Sequence, residues 1–155
     1  MGERAPDVAG KPIEFVQIEV MFLRVTGDPA KVAPLWERLE ALVGLRGRKF
    51  FGAFYPSSQE YRVCVEIRED DDPAALGLES GTLPAGRYLR ARLRGEPPGI
   101  YERIGPTFEA LVKEANPDET RPSIEFYRKR DEIDLLLPVA TSQTGRRPRR
   151  ASVTP

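Results

Sequence analysis

The chain's 155 residues carry 24 basic and 24 acidic side chains, a single cysteine and no histidine. One cysteine excludes an internal disulfide and any multi-thiolate metal site. Without histidine there is neither the commonest metal ligand nor any Ser-His or Cys-His arrangement, so the sequence points to no metal and no cofactor. Arg146, Arg147, Arg149 and Arg150 all fall in the last stretch, which leaves a body of 20 basic and 24 acidic residues, net −4. That is a poor electrostatic footprint for nucleic acid, and direct DNA binding by the folded body is not expected. The length is that of one domain, able to bury roughly 68–70% of its unfolded surface. No basic region followed by an apolar run opens the chain, and no stretch approaches the length of a membrane span, which predicts a cytoplasmic protein.

Residues 1–12 are polar with Gly and Pro and read as a flexible N-terminus. Ile13 to Val25 reads as a strand that is apolar on both faces and must be covered on both. Asp28-Pro29 has the form of an N-cap followed by proline at the first helical position. Val32, Leu35, Trp36, Leu39, Leu42 and Val43 then recur at helical spacing, and Gly44 ends the helix. Pro34 sits inside that helix, so its regular part is placed as late as Pro34. Lys49–Tyr55 and Tyr61–Arg68 read as a hairpin around Pro56-Ser57-Ser58. Residues 69–81 form an acidic, turn-rich connector whose Asp70-Asp71-Asp72 run reads as a solvated loop, without the Gly and Glu spacing of a calcium site. A strand follows from Thr82 through Leu93, then a helix from about Pro98 to Ala115 carrying Ile104, Phe108, Leu111 and Val112. Ser123–Lys129 and Ile133–Val139 form a second hairpin. The tail over 140–155 has no apolar period and reads as disordered.

The chain repeats itself at an offset of 72 residues. Val32-x-Pro34-x-Trp36-Glu37-x-Leu39 meets Ile104-x-Pro106-x-Phe108-Glu109-x-Leu111. Phe54-Tyr55 and Glu60-Tyr61-x-Val63-x-Val65-x-Ile67 meet Phe126-Tyr127 and Glu132-Ile133-x-Leu135-x-Leu137-x-Val139. Self-similarity in one register over a helix and a hairpin predicts two β-α-β-β modules, 13–68 and 82–139, related by a pseudo-twofold axis. It also predicts that Trp36 superposes on Phe108 and Tyr55 on Tyr127.

Leu83-Pro84-Ala85-Gly86-Arg87-Tyr88, Pro122-Ser123-Ile124-Glu125-Phe126-Tyr127 and Ile133-Asp134-Leu135-Leu136-Leu137-Pro138-Val139 together resemble a known family. They are similar to the GyrI-like small-molecule-binding domains, which also serve as effector-binding domains of AraC- and MerR-type regulators. The first half fits through its aliphatic opening strand, Trp36 and Tyr61-x-x-Cys64. The resemblance spans about 13–139. It implies an α+β fold of duplicated β-α-β-β modules forming a curved antiparallel sheet, with helices on one side and a ligand cleft on the other. It further implies a lipophilic, often cationic, ligand met by the glutamate matching Glu125. Some stand-alone relatives hydrolyse cyclopropanoid compounds, and gyrase-inhibitory members act on a protein. The family often has His where this chain has Arg94, so that imidazole's role does not transfer. With no DNA-binding module before the domain in this sequence, a stand-alone copy is the expectation.

Strand alternation puts Glu125 and Tyr127 on one face and Ile124 and Phe126 on the other. If Ile124 and Phe126 pack on the helices, Glu125 and Tyr127 face the cleft. The repeat then sets Tyr55 symmetric to Tyr127, and Ala53 opposite Glu125. Two tyrosines flanking a carboxylate suit a flat cation, and desolvation raises such a carboxylate's pKa toward proton transfer. The plainer alternative is a solvated Glu125, or one paired with Arg62, Arg90 or Arg92. Tyr88, with Arg90 and Arg92, stands either at the cleft rim or on the solvent side. Cys64 and Glu66 share a face and are further lining candidates, Cys64 equally an inert filler. Trp36 and Phe108 read as core. The tail arginines suit either an acidic contact or a plain flexible end. Three functions remain open at this point: binding of a lipophilic small molecule; hydrolysis of a strained compound with Glu125 as general acid/base and Tyr127 or Tyr55 stabilising charge; and a protein-interaction role.

Overall fold

The computed structural model describes residues 10–140. Most of the expected N-terminal segment 1–12 and of the expected disordered tail 140–155 lies outside the described residues. Lys11 and Pro12, however, already belong to the first strand. β1 (Lys11–Phe15) and β2 (Ile18–Thr26) replace the single strand expected over Ile13–Val25. The break at Val16-Gln17 lets β1 cross to the other half and pair with β6 (Gly86–Arg94), while β2 pairs with β4 (Glu60–Glu66). The second half breaks in the same way. The strand expected from Thr82 to Leu93 is instead β5 (Glu79–Leu83) and β6, parted at Pro84-Ala85, and β5 crosses back to β2.

Asp28 caps a single 3-10 turn over Pro29–Lys31, its carboxylate accepting the Ala30 N–H at 3.0 Å. The helix α1 (Val32–Val43) starts before Pro34, not at it. Pro34 is its third residue, where the backbone N–H has no intrahelical acceptor to lose. Pro106 holds the same place in α4 (Ile104–Glu114). The acidic connector contains a short helix, α2 (Pro73–Leu76), capped by Asp72. Its Asp71, read as solvated, is instead held by the nearly buried Arg48 guanidinium at 2.9 Å and by the Arg68 N–H at 2.7 Å, which keep its carboxyl below the usual range. One long helix was expected from Pro98 to Ala115. A separate turn, α3 (Gly99–Glu102), precedes α4, with Arg103 between them. β3 (Phe50–Tyr55), β7 (Ser123–Lys129) and β8 (Glu132–Pro138) complete the two hairpins.

All eight strands form one curled antiparallel sheet in the order β1-β6-β8-β7-β3-β4-β2-β5. Exchanging each first-half strand for its second-half counterpart turns this order into its own reverse, which is a pseudo-twofold about the β3–β7 pair. The expected α+β fold of duplicated modules on a curved sheet is what the chain adopts. The repeat is not gapless, though. Ion pairs also recur across it: Arg24–Glu60 at 3.4 Å in the first half matches Arg92–Glu132 at 3.7 Å in the second.

Both helices lie on one face. α1 packs over β2 and β4, burying Leu39 with Met21, Val63 and Val65. α4 packs over β6 and β8, burying Leu111 with Leu93, Ile133 and Leu135. The opposite face is equally dry without helices, because the curl and the exchanged strands close over it. Phe51 stacks on Phe126 there at 4.7 Å, and Phe15 meets Tyr88 edge-on at 5.3 Å. The Arg62 guanidinium lies over Phe22 and Tyr55, 4.4 Å from each ring, as a cationic lid.

Leu39 and Leu111 occupy matching places in the two helices and are both fully buried. Leu39→Ala and Leu111→Ala should each lower stability by about 2–5 kcal/mol in urea denaturation. Each should leave a single cooperative transition, since the halves share one sheet. Two separate transitions would overturn the shared core.

Candidate functional site

Because α1 and α4 pack chiefly over β2, β4 and β6, β8 of their own halves, the central pair β3 and β7 is reached from the helices only by side chains such as Trp36. The helix face therefore carries a trough between the helices, with β3 and β7 as its floor. Glu125 stands on that floor directly across from Gly52. It is on the same face as Tyr127, which packs with the α4 core, while Phe50 and Tyr61 pack with the α1 core.

This reverses the expected facing. Ile124 and Phe126 do not pack on the helices but belong to the cluster on the opposite face. The reason is the dryness of both faces. β7 offers apolar residues to each, so alternation alone cannot assign the helix side. The symmetry assignments change as well. Gly52, not Ala53, is opposite Glu125, and Tyr55 is not the counterpart of Tyr127, since it lies on the opposite face. The hairpin turn joining β7 to β8 is shorter than that joining β3 to β4, and β7 carries a bulge between Tyr127 and Lys129. The loop from α4 to β7 is longer to match. Over β3 and β7 the repeat is thus displaced by one residue from the offset that fits the helices and β4/β8, and one residue is enough to flip a strand's faces.

Of the six residues that the sequence singles out, only Glu125 and Tyr127 come together on the trough floor. Tyr88 is fully buried in the opposite-face core, its hydroxyl donating to the Pro84 carbonyl at 2.7 Å. It is a packing residue, neither rim nor solvent side. Tyr55 and Cys64 belong to the same cluster, and burial pushes the Cys64 thiol up to about 12, so it is inert at neutral pH. Glu66 alternates with Val65 and so also turns from the trough. What the sequence reading missed is Tyr61, whose hydroxyl donates to Glu125 Oε1 at 2.6 Å, alongside Tyr127 at 2.5 Å. The two residues are 64 apart in sequence. The available signal was Tyr61's place on the Val63/Val65 face, usable only with the strand pairing in hand. Trp36, read as core, leans from α1 to meet Tyr127 edge-on at 5.2 Å and Phe50 at 6.2 Å.

Among the described residues no cation compensates the acid. Arg62 bonds Glu60, Arg92 binds Asp134 at 2.6 Å, and Arg90 pairs with Leu136 in register, so all three stand on the opposite face. Glu125 keeps part of its surface accessible. Even so, burial raises its pKa, and the hydrogen bonds from Tyr127 and Tyr61 lower it only in part. Burial and the neighbouring carboxylate push both phenols well above their ordinary range, so they remain donors. Gly52 makes the arrangement possible. A Cβ there would clash with the Tyr61 hydroxyl and stand 2.5 Å from Glu125 Oε1. Among the described residues no cluster of His, Cys, Asp or Glu is able to hold a metal ion, and no helix is long and apolar enough to cross a membrane.

Residues 13–140 match the family described as the GyrI-like small molecule binding domain. No curated protein matches the sequence. An integron cassette protein from the mobile metagenome of Vibrio cholerae is similar in structure, with TM-score 0.66 and 17% identity over 84% of this chain and 95% of that one. The protein SAV2435 bound to tetraphenylphosphonium aligns with TM-score 0.62 and 14% identity, over 88% of this chain and 97% of that one. A hydrolase from Listeria innocua aligns with TM-score 0.55 and 11% identity, over 88% and 94%. At such identities these likenesses show the fold.

Glu125 binds its proton more tightly in the folded chain than in the unfolded one, where 4.5 applies. Its contribution to stability is therefore fullest below that value and is lost as pH rises through the folded pKa. Glu125→Gln should melt at the same temperature as wild type or higher at about pH 8, and lose that advantage toward about pH 4. Thermal denaturation at both pH values checks this. A variant less stable at the higher pH would show the carboxylate to be compensated after all.

Proposed function

The chain belongs to the GyrI-like family of small-molecule-binding domains, and from that premise we propose that it binds a lipophilic cation in the trough between α1 and α4, with Glu125 at the base. The observation that carries this reading is an acid with a raised pKa, two tyrosine donors and no basic partner among the described residues, on a floor walled by aromatic rings. A bound cation supplies the missing charge in a place where water supplies it poorly. Trp36, Tyr127 and Tyr61 offer ring faces and edges to a flat apolar body. SAV2435, which shares the fold, was solved with such a cation.

Rhodamine 6G is a suitable probe, being flat, apolar and cationic. Glu125→Gln keeps the shape and removes the charge, and should weaken dye binding by about 2–5 kcal/mol, as loss of one partner of a desolvated pair does. Fluorescence titration of both proteins checks this. Equal affinity would overturn the role given to Glu125.

A second reading is favoured by the same raised pKa. A carboxyl whose pKa is raised by burial, flanked by two phenols, is equipped for general acid/base work. The reaction would be hydrolytic ring opening of a strained, electrophilic cyclopropane, with water adding to one carbon and a proton reaching the other. Incubation with cyclopropane-bearing electrophiles, followed by mass spectrometry, separates the readings. Hydrated product that disappears in Glu125→Gln supports the hydrolase. Binding without product leaves the sequestering role alone.

A further inference from the structure

The two oxygens of Glu125 are unequally served. Oε1 accepts the hydroxyls of both Tyr61 and Tyr127, which occupies the two lone-pair positions of one carboxylate oxygen. Oε2 accepts no hydrogen bond among the described residues. Neither tyrosine is able to serve it, since each has a single hydroxyl hydrogen and has already committed it to Oε1. Arg62 and Arg92 are engaged with Glu60 and Asp134 on the opposite face. Gly52 accounts for the asymmetry: its missing side chain is the recess that admits the Tyr61 hydroxyl and Oε1 together. Oε1 is thus the oxygen turned to the floor and its tyrosines, while Glu125 as a whole keeps accessible surface. The carboxylate is a half-completed hydrogen-bonding group in a poorly solvated place, the costly condition for a polar group.

We propose that the ligand completes it, and that the site accordingly selects cations bearing an N–H, such as protonated amines or amidines on an aromatic body, over permanently charged cations that have none. This rests on the binding reading above and narrows it. A quaternary ammonium or a phosphonium neutralises the charge but leaves Oε2 without a donor. A protonated amine does both at once, through a charge-assisted hydrogen bond. Positive charge alone would not distinguish the two kinds of cation, because the aromatic walls attract both.

The test is a methylation series on one aromatic body, with intact protein and calorimetric titration at neutral pH: (1-naphthylmethyl)methylamine, (1-naphthylmethyl)dimethylamine and (1-naphthylmethyl)trimethylammonium. The first two are protonated and keep an N–H; the third has none. Affinity should change little between the first two and fall by about tenfold or more at the third, when the last N–H disappears. In Glu125→Gln that final step should shrink to within about threefold, because the charge-assisted component is gone. A steady decline at every methylation in wild type would indicate size discrimination and overturn the inference. Equal binding of all three in wild type, with loss of all three in Glu125→Gln, would overturn N–H selection while sustaining the cation site. Binding of none of the three would overturn both.

Discussion

The antiparallel pairing of β3 with β7 is the constraint on which everything else depends. Among the described residues it is the only seam at which the two halves meet along equivalent strands, and it sets Gly52 against Glu125 beside the pseudo-twofold axis. Strict symmetry there would put the same residue on both strands. Two glutamates would place like charges side by side with little water to screen them. The chain keeps one acid and deletes the other side chain altogether. The space so freed admits Tyr61, a first-half residue, to a second-half carboxylate. The site is thus a joint product of both modules, and neither half contains it alone.

The exchange of β1 and β5 between the halves has a second consequence. With the curl of the sheet, it dries the face that bears no helix, and gives that face Phe22, Phe51, Tyr88 and Phe126 as a core. Most charged residues of β4, β7 and β8, with Arg92 of β6, gather at that face's margins, where Arg62 roofs two rings and Arg92 and Arg128 hold Asp134 and Glu132. The guanidinium groups of Arg62, Arg92 and Arg128 are accordingly satisfied on the side away from Glu125. Segregation of charge by sheet face, more than any special feature of the acid, is what leaves Glu125 uncompensated.

Trp36 shows how the helices take part. It sits on the apolar stripe of α1 and helps to anchor the helix, yet its ring edge also walls the trough against Tyr127. Fold and site share the residue. The same holds for Tyr127, which packs in the α4 core through its ring and serves the carboxylate through its hydroxyl. A site built from residues that also stabilise the scaffold is rigid at its floor, which is what a positioned acceptor requires.

By itself, the sequence determined the duplication, the α+β class, the helices and most strand spans, because hydrophobic period and capping are local properties. Asp28, Gly44 and the Leu39/Leu111 pair are readable from their neighbours alone. The motifs around Pro84, Glu125 and Pro138 also sufficed to indicate the family, and to mark Glu125 with Tyr127 as the centre of interest. Tertiary structure decided which face the acid occupies, that Tyr61 and Trp36 join it, and that Tyr55, Tyr88, Cys64 and Glu66 do not. The physical reason lies in the strands. Alternation defines two faces, but β7 is apolar enough for either to be the inner one, and here both are buried. A bulge and unequal loops then displaced the repeat by one residue over β3 and β7. A displacement of that size is invisible in a hydrophobic pattern, yet it exchanges every side chain between the two faces.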